Sequence, residues 1–594
     1  MNLNSLGRAG RIAAIGATLL FSASCITVNE QLGENLIPTD RKWDVFPQQA
    51  EPLKDIRLQM ADSLSGYSST RFTFGSVRDD LMGTTVKSTS FTLVPISDTL
   101  DFGENTKVTG FHFSAVRDTL STVYDSQQRI LQNVYVYELK EALDSTVLYS
   151  GIFMNQEDRD KYLDLTSPIT EGVPVYDGGD SLSFEFSREF AESMLERLKK
   201  TDVDSMETYL QGDKEKGIPG IPGIYITTDT PASYGGRINM FEIGLKYDSS
   251  TGQVLGNYAE LKIRADYGDR KDVDTSFLFM YGPGDFLKNL KQNEAIKQFA
   301  FNAGNHIYDA NDLLNGADLH KGVKAKDKIY VEGGSGVKPV IRASEIREII
   351  EGQMTAAGIS DISEAVINKA TIIFPYNVDG DYELLDKYPK ILSPTVKLRS
   401  SEGDYVTYAG LTDSSIASEN QGEINRSLNI YSPDMSHHIQ EIMKVKKDAD
   451  YEKNIAKYDI WFLVMHEEVT ENNNSSSMND YYQNLMYNSY YNNMMYDPYG
   501  YGYGYGYGGY GGYGGYGGYG GYGGYGGYGY NNYYNYLMMA AYAGSYNSTT
   551  EETTIELDKD RYYRCILNGP EYDGELEDLP RLKVTFSAPK SAEK

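Results

Sequence analysis

Lys107-Val108-Thr109-Gly110-Phe111-His112-Phe113 alternates apolar and polar side chains with a period of two, the pattern of a strand with one buried face. Asn133-Val134-Tyr135-Val136-Tyr137-Glu138-Leu139 repeats it downstream, and Ser69-Thr70-Arg71-Phe72-Thr73-Phe74 and Ser88-Thr89-Ser90-Phe91-Thr92-Leu93-Val94 repeat it upstream. Gly75, Gly83 and Gly103 punctuate the runs as turn formers. Further strands are expected at 224–228 and 258–265. A second series follows around 277–281, 328–331, 338–341 and 370–374. The sum is mainly β with a few helices, best met by two β-sandwich-like domains.

Helices interrupt the pattern in few places. Ser187 caps one whose buried face is Phe190, Met194 and Leu198, with a basic last turn that suits the helix dipole. Others are expected at 285–299, at 344–356, and from Pro433 onward with Ile439, Ile442 and Met443 inward. The last regular elements, 458–469 and 554–567, are expected to pair antiparallel. Between them the composition changes abruptly. No charged residue occurs from Pro498 to Thr550, and Gly-Gly-Tyr runs seven times in register from Gly508 to Tyr528. Glycine costs the most backbone entropy and no aliphatic face recurs, so residues 471–550 read as a disordered insertion at a hairpin tip. As a flexible coil it would reach on the order of 50 Å root-mean-square.

At the other end, Arg8 and Arg11 precede an apolar run, Ile12 to Phe21, too short to span a bilayer. It closes on Ser22-Ala23-Ser24-Cys25. Small residues before a cysteine suit cleavage between Ser24 and Cys25, with Cys25 as the lipidation site, and the covalent lipid would be the chain's only cofactor-like group. Ser22 departs from the aliphatic residue usual at that position, and an ordinary secretory signal is the alternative. The expected organisation is a lipoprotein signal peptide at 1–24 and a tether at 25–54. An N-terminal β-sandwich-like domain at 55–270 and a C-terminal β-rich domain at 271–470 plus 551–590 follow, the latter interrupted by the insertion.

Charge and chemistry narrow the functions. The chain has 594 residues and a formal net charge of −29, which disfavours nucleic acid and electrostatic adhesion to an anionic membrane. The only other cysteine, Cys565, sits in a strand-like run and reads as a buried structural thiol. Asn377-Val378-Asp379-Gly380-Asp381 spaces oxygens like a calcium loop but has Tyr382 where that loop needs glycine, so it reads as an acidic turn. Gly333-Gly334-Ser335-Gly336 lacks the Lys and the following helix of a phosphate loop and reads as a hairpin turn. His437 and His438 are adjacent and diverge on a helix, and His112, His306, His320 and His466 show no ligand spacing. No nucleophile elbow or zinc motif occurs. A carboxylate pair for glycoside hydrolysis is defined in space and cannot be picked from spacing. No catalytic or metal residue is assigned. The regularly spaced phenols Tyr510, Tyr513, Tyr516, Tyr519, Tyr522, Tyr525 and Tyr528 are offered as contact residues, able to stack on sugars, other rings or headgroups.

Several short motifs recur in a recognisable order. They are Leu32-Gly33-Glu34-Asn35-Leu36-Ile37-Pro38, Gly75-Ser76-Val77-Arg78-Asp79-Asp80-Leu81-Met82-Gly83, and Val134-Tyr135-Val136-Tyr137-Glu138-Leu139. Ile329-Tyr330-Val331-Glu332-Gly333-Gly334-Ser335-Gly336, Ile367-Asn368-Lys369-Ala370, Leu567-Asn568-Gly569-Pro570 and Leu579-Pro580-Arg581-Leu582-Lys583-Val584 follow. This order resembles a large family of Bacteroidota outer-membrane lipoproteins known as a domain of unknown function. The resemblance spans nearly the whole mature chain except the Tyr/Gly insertion. It implies an outer-membrane lipoprotein, on the cell surface rather than the periplasmic face, and assigns no activity. Such lipoproteins work beside outer-membrane β-barrel proteins or other envelope lipoproteins. The expectation is therefore a non-catalytic scaffold or accessory subunit of a β-barrel complex for assembly, export or uptake. A glycan-binding surface lipoprotein with aromatic platforms is the alternative.

Overall fold

The computed structural model describes residues 43–589 apart from 62, 69, 96–99, 122–129, 144–148, 202–205, 244–245, 248–253, 282–299, 360–364, 379, 381, 400–405, 417–420 and 472–550. The chain is mainly β, with antiparallel sheets and few helices.

Two sheets face each other in the first sandwich. One runs in the order Gly235–Glu242, Arg71–Asp79, Gly83–Phe91, Ile224–Thr227, Tyr135–Glu138. The other runs Ser181–Glu185, Glu104–Val116, Tyr258–Tyr267, Arg270–Met280, Val94–Pro95. Their inner faces meet in an aromatic core. Phe113 stacks on Tyr281 at 5.0 Å and reaches Phe91 at 5.9 Å, while Phe72 stacks on Phe241 at 5.0 Å. Phe111 and Phe113 lie in this core, as expected, with His112 on the other side, and a register shift at Thr109 breaks the alternation so that Val108 also packs inward. The helix Arg188–Leu198 closes one flank. Ser187 accepts from the Phe190 amide at 3.2 Å, and Phe190, Met194 and Leu198 are buried.

The second sandwich pairs a sheet ordered Trp43–Pro52, Arg581–Pro589, Val366–Pro375, Ile430–Tyr431, Ile424–Asn425 with one ordered Val323–Lys324, Ile56–Met60, Val337–Ile341, Ile460–Glu471, Ile391–Arg399, Val406–Gly410. Phe374 from the first meets Phe462 from the second edge-on at 4.8 Å. The helices Ala343–Ala356 and Ser436–Lys444 add Ile346, Ile350, Ile439 and Ile442 to the same core.

Strand pairing moves several expected boundaries. Residues 43–52 are not tether. They pair with 581–589, Trp43 opposite Pro589, and a register shift between Phe46 and Gln49 accommodates Pro47, which has no amide to give the ladder. Residues 56–60 also belong to the second sandwich, through Val337–Ile341. The boundary expected at 270/271 falls inside the hairpin 258–267/270–280, and Ala300–Ile307 pairs back onto Gly83–Phe91. The described residues therefore begin in the second sandwich, build the first, and return.

The helix expected from Pro433 begins three residues later. The Pro433 carbonyl still accepts from Ile372, Asp434 bridges Thr371, and Asp413 from another helix caps the His437 and His438 amides. The expected pair 458–469/554–567 forms as 460–471 with Glu551–Leu557. Cys565–Asn568 is a separate strand bound to Lys328–Val331, with Cys565 fully buried. The helix expected at 285–299 lies outside the described residues.

Candidate functional site

Ser24, Cys25 and the seven tyrosines from Tyr510 to Tyr528 lie outside the described residues, as do Asp379 and Asp381 of the calcium-like turn. Their neighbours do not. The insertion leaves the second sandwich on the hairpin 460–471/551–557, and its return strand leads directly into Asp558-Lys559-Asp560-Arg561-Tyr562-Tyr563-Arg564. That segment enters the seam between the two sandwiches.

The Asp558 carboxylate accepts from the Asp560 and Arg561 amides at 3.1 and 3.0 Å and from the Tyr563 hydroxyl at 2.5 Å. The Arg561 Nε lies 2.8 Å away. Burial alone would raise this carboxyl, but Arg561, His466 and the Tyr563 hydrogen bond outweigh it and hold it far below the usual range. Asp560 behaves oppositely, raised by burial against the attraction of Arg71. Arg71 sits between Asp118 at 3.0 Å and Asp560 at 3.7 Å. The Lys559 ammonium donates to the Tyr67 carbonyl at 2.6 Å, and Lys87 donates to the Lys559 carbonyl at 2.8 Å. Asn302 donates to Asp560 at 3.1 Å and accepts from the Thr73 amide at 3.0 Å. Both sandwiches are thus fastened to one segment by charge-assisted hydrogen bonds.

Gly333 to Gly336 is a turn, as expected, with the Gly336 amide on the Gly333 carbonyl at 3.2 Å. Its glycines serve the seam. A Cβ on Gly333 would sit 2.8 Å from the Arg561 carbonyl and one on Gly334 2.9 Å from that of Lys559. The turn also assembles a row that spacing concealed. Ser335 Oγ lies 3.4 Å from His306 Nε2, and His306 Nδ1 lies 3.3 Å from Glu332 Oε1. The order of groups is that of a nucleophile, base and orienting acid. All three are sealed, however, with Ser335 and Glu332 each 2% exposed. Glu332 also accepts from the Tyr308 hydroxyl at 2.7 Å and the Val337 amide at 3.2 Å. Burial would raise its carboxyl, but His306, Tyr308 and Lys338 bring it down to about 2. Burial brings the Lys338 ammonium down to about 7 against the attraction of Glu332. The row is buried and hydrogen-bonded within the seam.

Beside the seam a cleft of about 740 Å³ opens to solvent. Residues 77–80 and 234–238 of the first sandwich line it, together with 386–388, Lys390 and Arg426 of the second and the 561–564 segment. Its lining holds seven cationic side chains and three carboxylates, the reverse of the chain's overall balance. Four of the cations have a structural role: Arg564 bridges Asp79 and Asp80 at 2.7 and 2.6 Å, Arg561 serves Asp558, and Arg78 pairs with Asp309 at 3.1 Å. Arg237 is buried beneath, bonded to Asn239 at 2.6 Å and over the Tyr176 ring. Lys387, Lys390 and Arg426 have no ion-pair partner among the described residues. Sequence reasoning missed the cleft because its cations come in ones and twos from distant segments.

Among the described residues no group of three or more His, Cys, Asp or Glu side chains is placed to hold a metal ion, and no helix is long and apolar enough to cross a membrane. His438 is buried on its helix with Nε2 2.9 Å from the Tyr458 carbonyl, while His437 points to solvent. No protein-family model, curated protein or solved structure matches the chain.

Proposed function

We propose that this chain is a non-catalytic outer-membrane lipoprotein, anchored through Cys25 and facing the cell surface. Its role is that of a scaffold or accessory subunit of an outer-membrane β-barrel complex. The observation that carries this reading is how the insertion is mounted. The strand Ile460–Glu471 is central in its sheet, bonded to 337–341 and 391–399 along its first half, and it hands its second half to the return strand 551–557. The return strand then continues into the charged seam. A partner held by the insertion would therefore be tethered to a segment that joins both sandwiches.

Two further observations support it. The strand 43–52, which follows the anchor segment, is a sheet edge whose outer side has no strand partner among the described residues, with Trp43 and Val45 48% and 65% exposed. Such an edge and its apolar side chains suit contact with a partner at the membrane. The Ser335 hydroxyl is buried among seam groups, a setting for cohesion and not for turnover.

The test is cross-linking of intact cells carrying a tagged full-length chain, followed by purification from detergent-solubilised outer membrane. Recovery of one β-barrel protein in near-equal amount is the expected result. Recovery of the chain alone would overturn the reading.

A further inference from the structure

We propose that the seam cleft is a binding site for an acidic saccharide, a sugar chain carrying carboxylate or phosphate groups. The inference stands apart from the scaffold reading, since it rests on the cleft and not on the insertion or the anchor.

The first argument is electrostatic. A chain with 84 acidic and 55 basic residues repels anions at long range. Against that background, Lys387, Lys390 and Arg426 line one cleft without ion-pair partners among the described residues. Lys387 and Lys390 come from the segment leading into Ile391–Arg399, and Arg426 from the turn between Ile424–Asn425 and Ile430–Tyr431. The Ile424 amide on the Lys390 carbonyl at 2.9 Å holds the two segments together. An anionic ligand would supply each cation with a charge-assisted hydrogen bond.

The second argument concerns the opposite wall. Tyr234 is 68% exposed, the most exposed large apolar side chain among those described, and it stands on the lining of this same cleft. Gly235 follows it with φ +117° and open space where a Cβ would be, so the wall beside the ring is bare backbone. The Tyr562 hydroxyl, also on the lining, is buried without a hydrogen-bond partner among the described residues. A flat ring, bare peptide groups, an unfilled hydroxyl and a triad of cations match a polyhydroxylated ring with an acidic substituent. The ring takes the sugar's C–H face and the cations take its charge. A bare inorganic anion would make no use of Tyr234.

The experiment is calorimetric titration of the full-length chain in detergent with four probes: tetragalacturonate, glucose 1,6-bisphosphate, maltotetraose and tetraglutamate. Binding of tetragalacturonate or of the bisphosphate is expected, and which of them binds assigns carboxylate or phosphate. Affinity should fall as salt rises. The triple change Lys387→Glu, Lys390→Glu, Arg426→Glu should weaken binding by at least about 100-fold. Tyr234→Ala should weaken the sugar probe by about 5-fold. Unchanged melting midpoints will show that these surface changes leave the fold intact, and the single variant Lys390→Gln, expected to cost about 10-fold, serves if the triple variant does not fold. Failure of both anionic sugars to bind overturns the proposal. So does equal binding of maltotetraose, a preference for tetraglutamate, or binding that the charge and Tyr234 variants leave unchanged.

Discussion

Replacing Lys338 by methionine should stabilise the protein, and by an amount that depends on pH. Lys338 is fully buried, and its ammonium donates to the Gly336 carbonyl at 2.9 Å. Burial brings its pKa from 10.5 to about 7, with the attraction of Glu332 and the repulsion of Lys87 already included. A gap of that size corresponds to on the order of 5 kcal/mol of cost for the charged form. The cost stands in full below pH 7, where the group is protonated in both the folded and the unfolded chain. Above pH 7 the folded chain releases the proton while the unfolded chain keeps it, so the cost shrinks, to about 2 kcal/mol at pH 9, and vanishes near 10.5. Methionine fills a similar volume and forfeits one hydrogen bond, worth about 1 kcal/mol. Lys338→Met should therefore gain about 4 kcal/mol at pH 6 and about 1 kcal/mol at pH 9. Urea denaturation of both proteins at the two pH values measures this. A loss of stability, or a gain equal at both pH values, would refute the reasoning.

Acid should act on the same seam in the opposite sense. Glu332, held at about 2, and Asp558, held lower, contribute stability that is complete above the ordinary carboxyl range and is lost as pH falls through it. Near-UV circular dichroism should show tertiary structure lost between about pH 4.5 and 2, and Asp558→Asn, which leaves Arg561 unpaired, should cost about 3–5 kcal/mol at neutral pH. Gly236 has φ +114°, and a Cβ there would lie 2.1 Å from the Ser76 carbonyl across the ladder. Gly236→Ala should cost at least about 2 kcal/mol, read as a lowered denaturation midpoint. The Cys565 thiol, fully buried and pushed far up by that burial, should resist Ellman's reagent at pH 8 in the native chain and react once denaturant is added.

What the sequence discloses follows the range of the interactions. Phe111 and Phe113 announce a buried face because strand periodicity is local, and Ser187 announces a helix start because its cap reaches only to Phe190. Pro433 misleads because Asp413, twenty-four residues earlier, supplies the cap that decides where the helix begins. Trp43 to Pro52 reads as tether because Pro47 breaks the alternation, and the partner that makes it a strand is at 581–589. The boundary at 270 fails for the same reason, since Ala300 finds its partner at Ser68. The seam is the extreme case. Arg71, Asp118, Glu332 and Asp560 are ordinary surface residue types in any local window, and only the fold makes them neighbours. Lys387, Lys390 and Arg426 are likewise unremarkable in sequence, and their meeting in one cleft without an ion-pair partner among the described residues is visible only in space.

The most direct test of the scaffold reading is site-specific photo-cross-linking in living cells. A photoreactive residue at Tyr519 in the insertion is compared with one at Leu428, an exposed position on a turn of the second sandwich. The reading predicts a single discrete adduct from Tyr519, identified by mass spectrometry as a β-barrel protein, and none from Leu428. No adduct from Tyr519, or the same adducts from both positions, would contradict it.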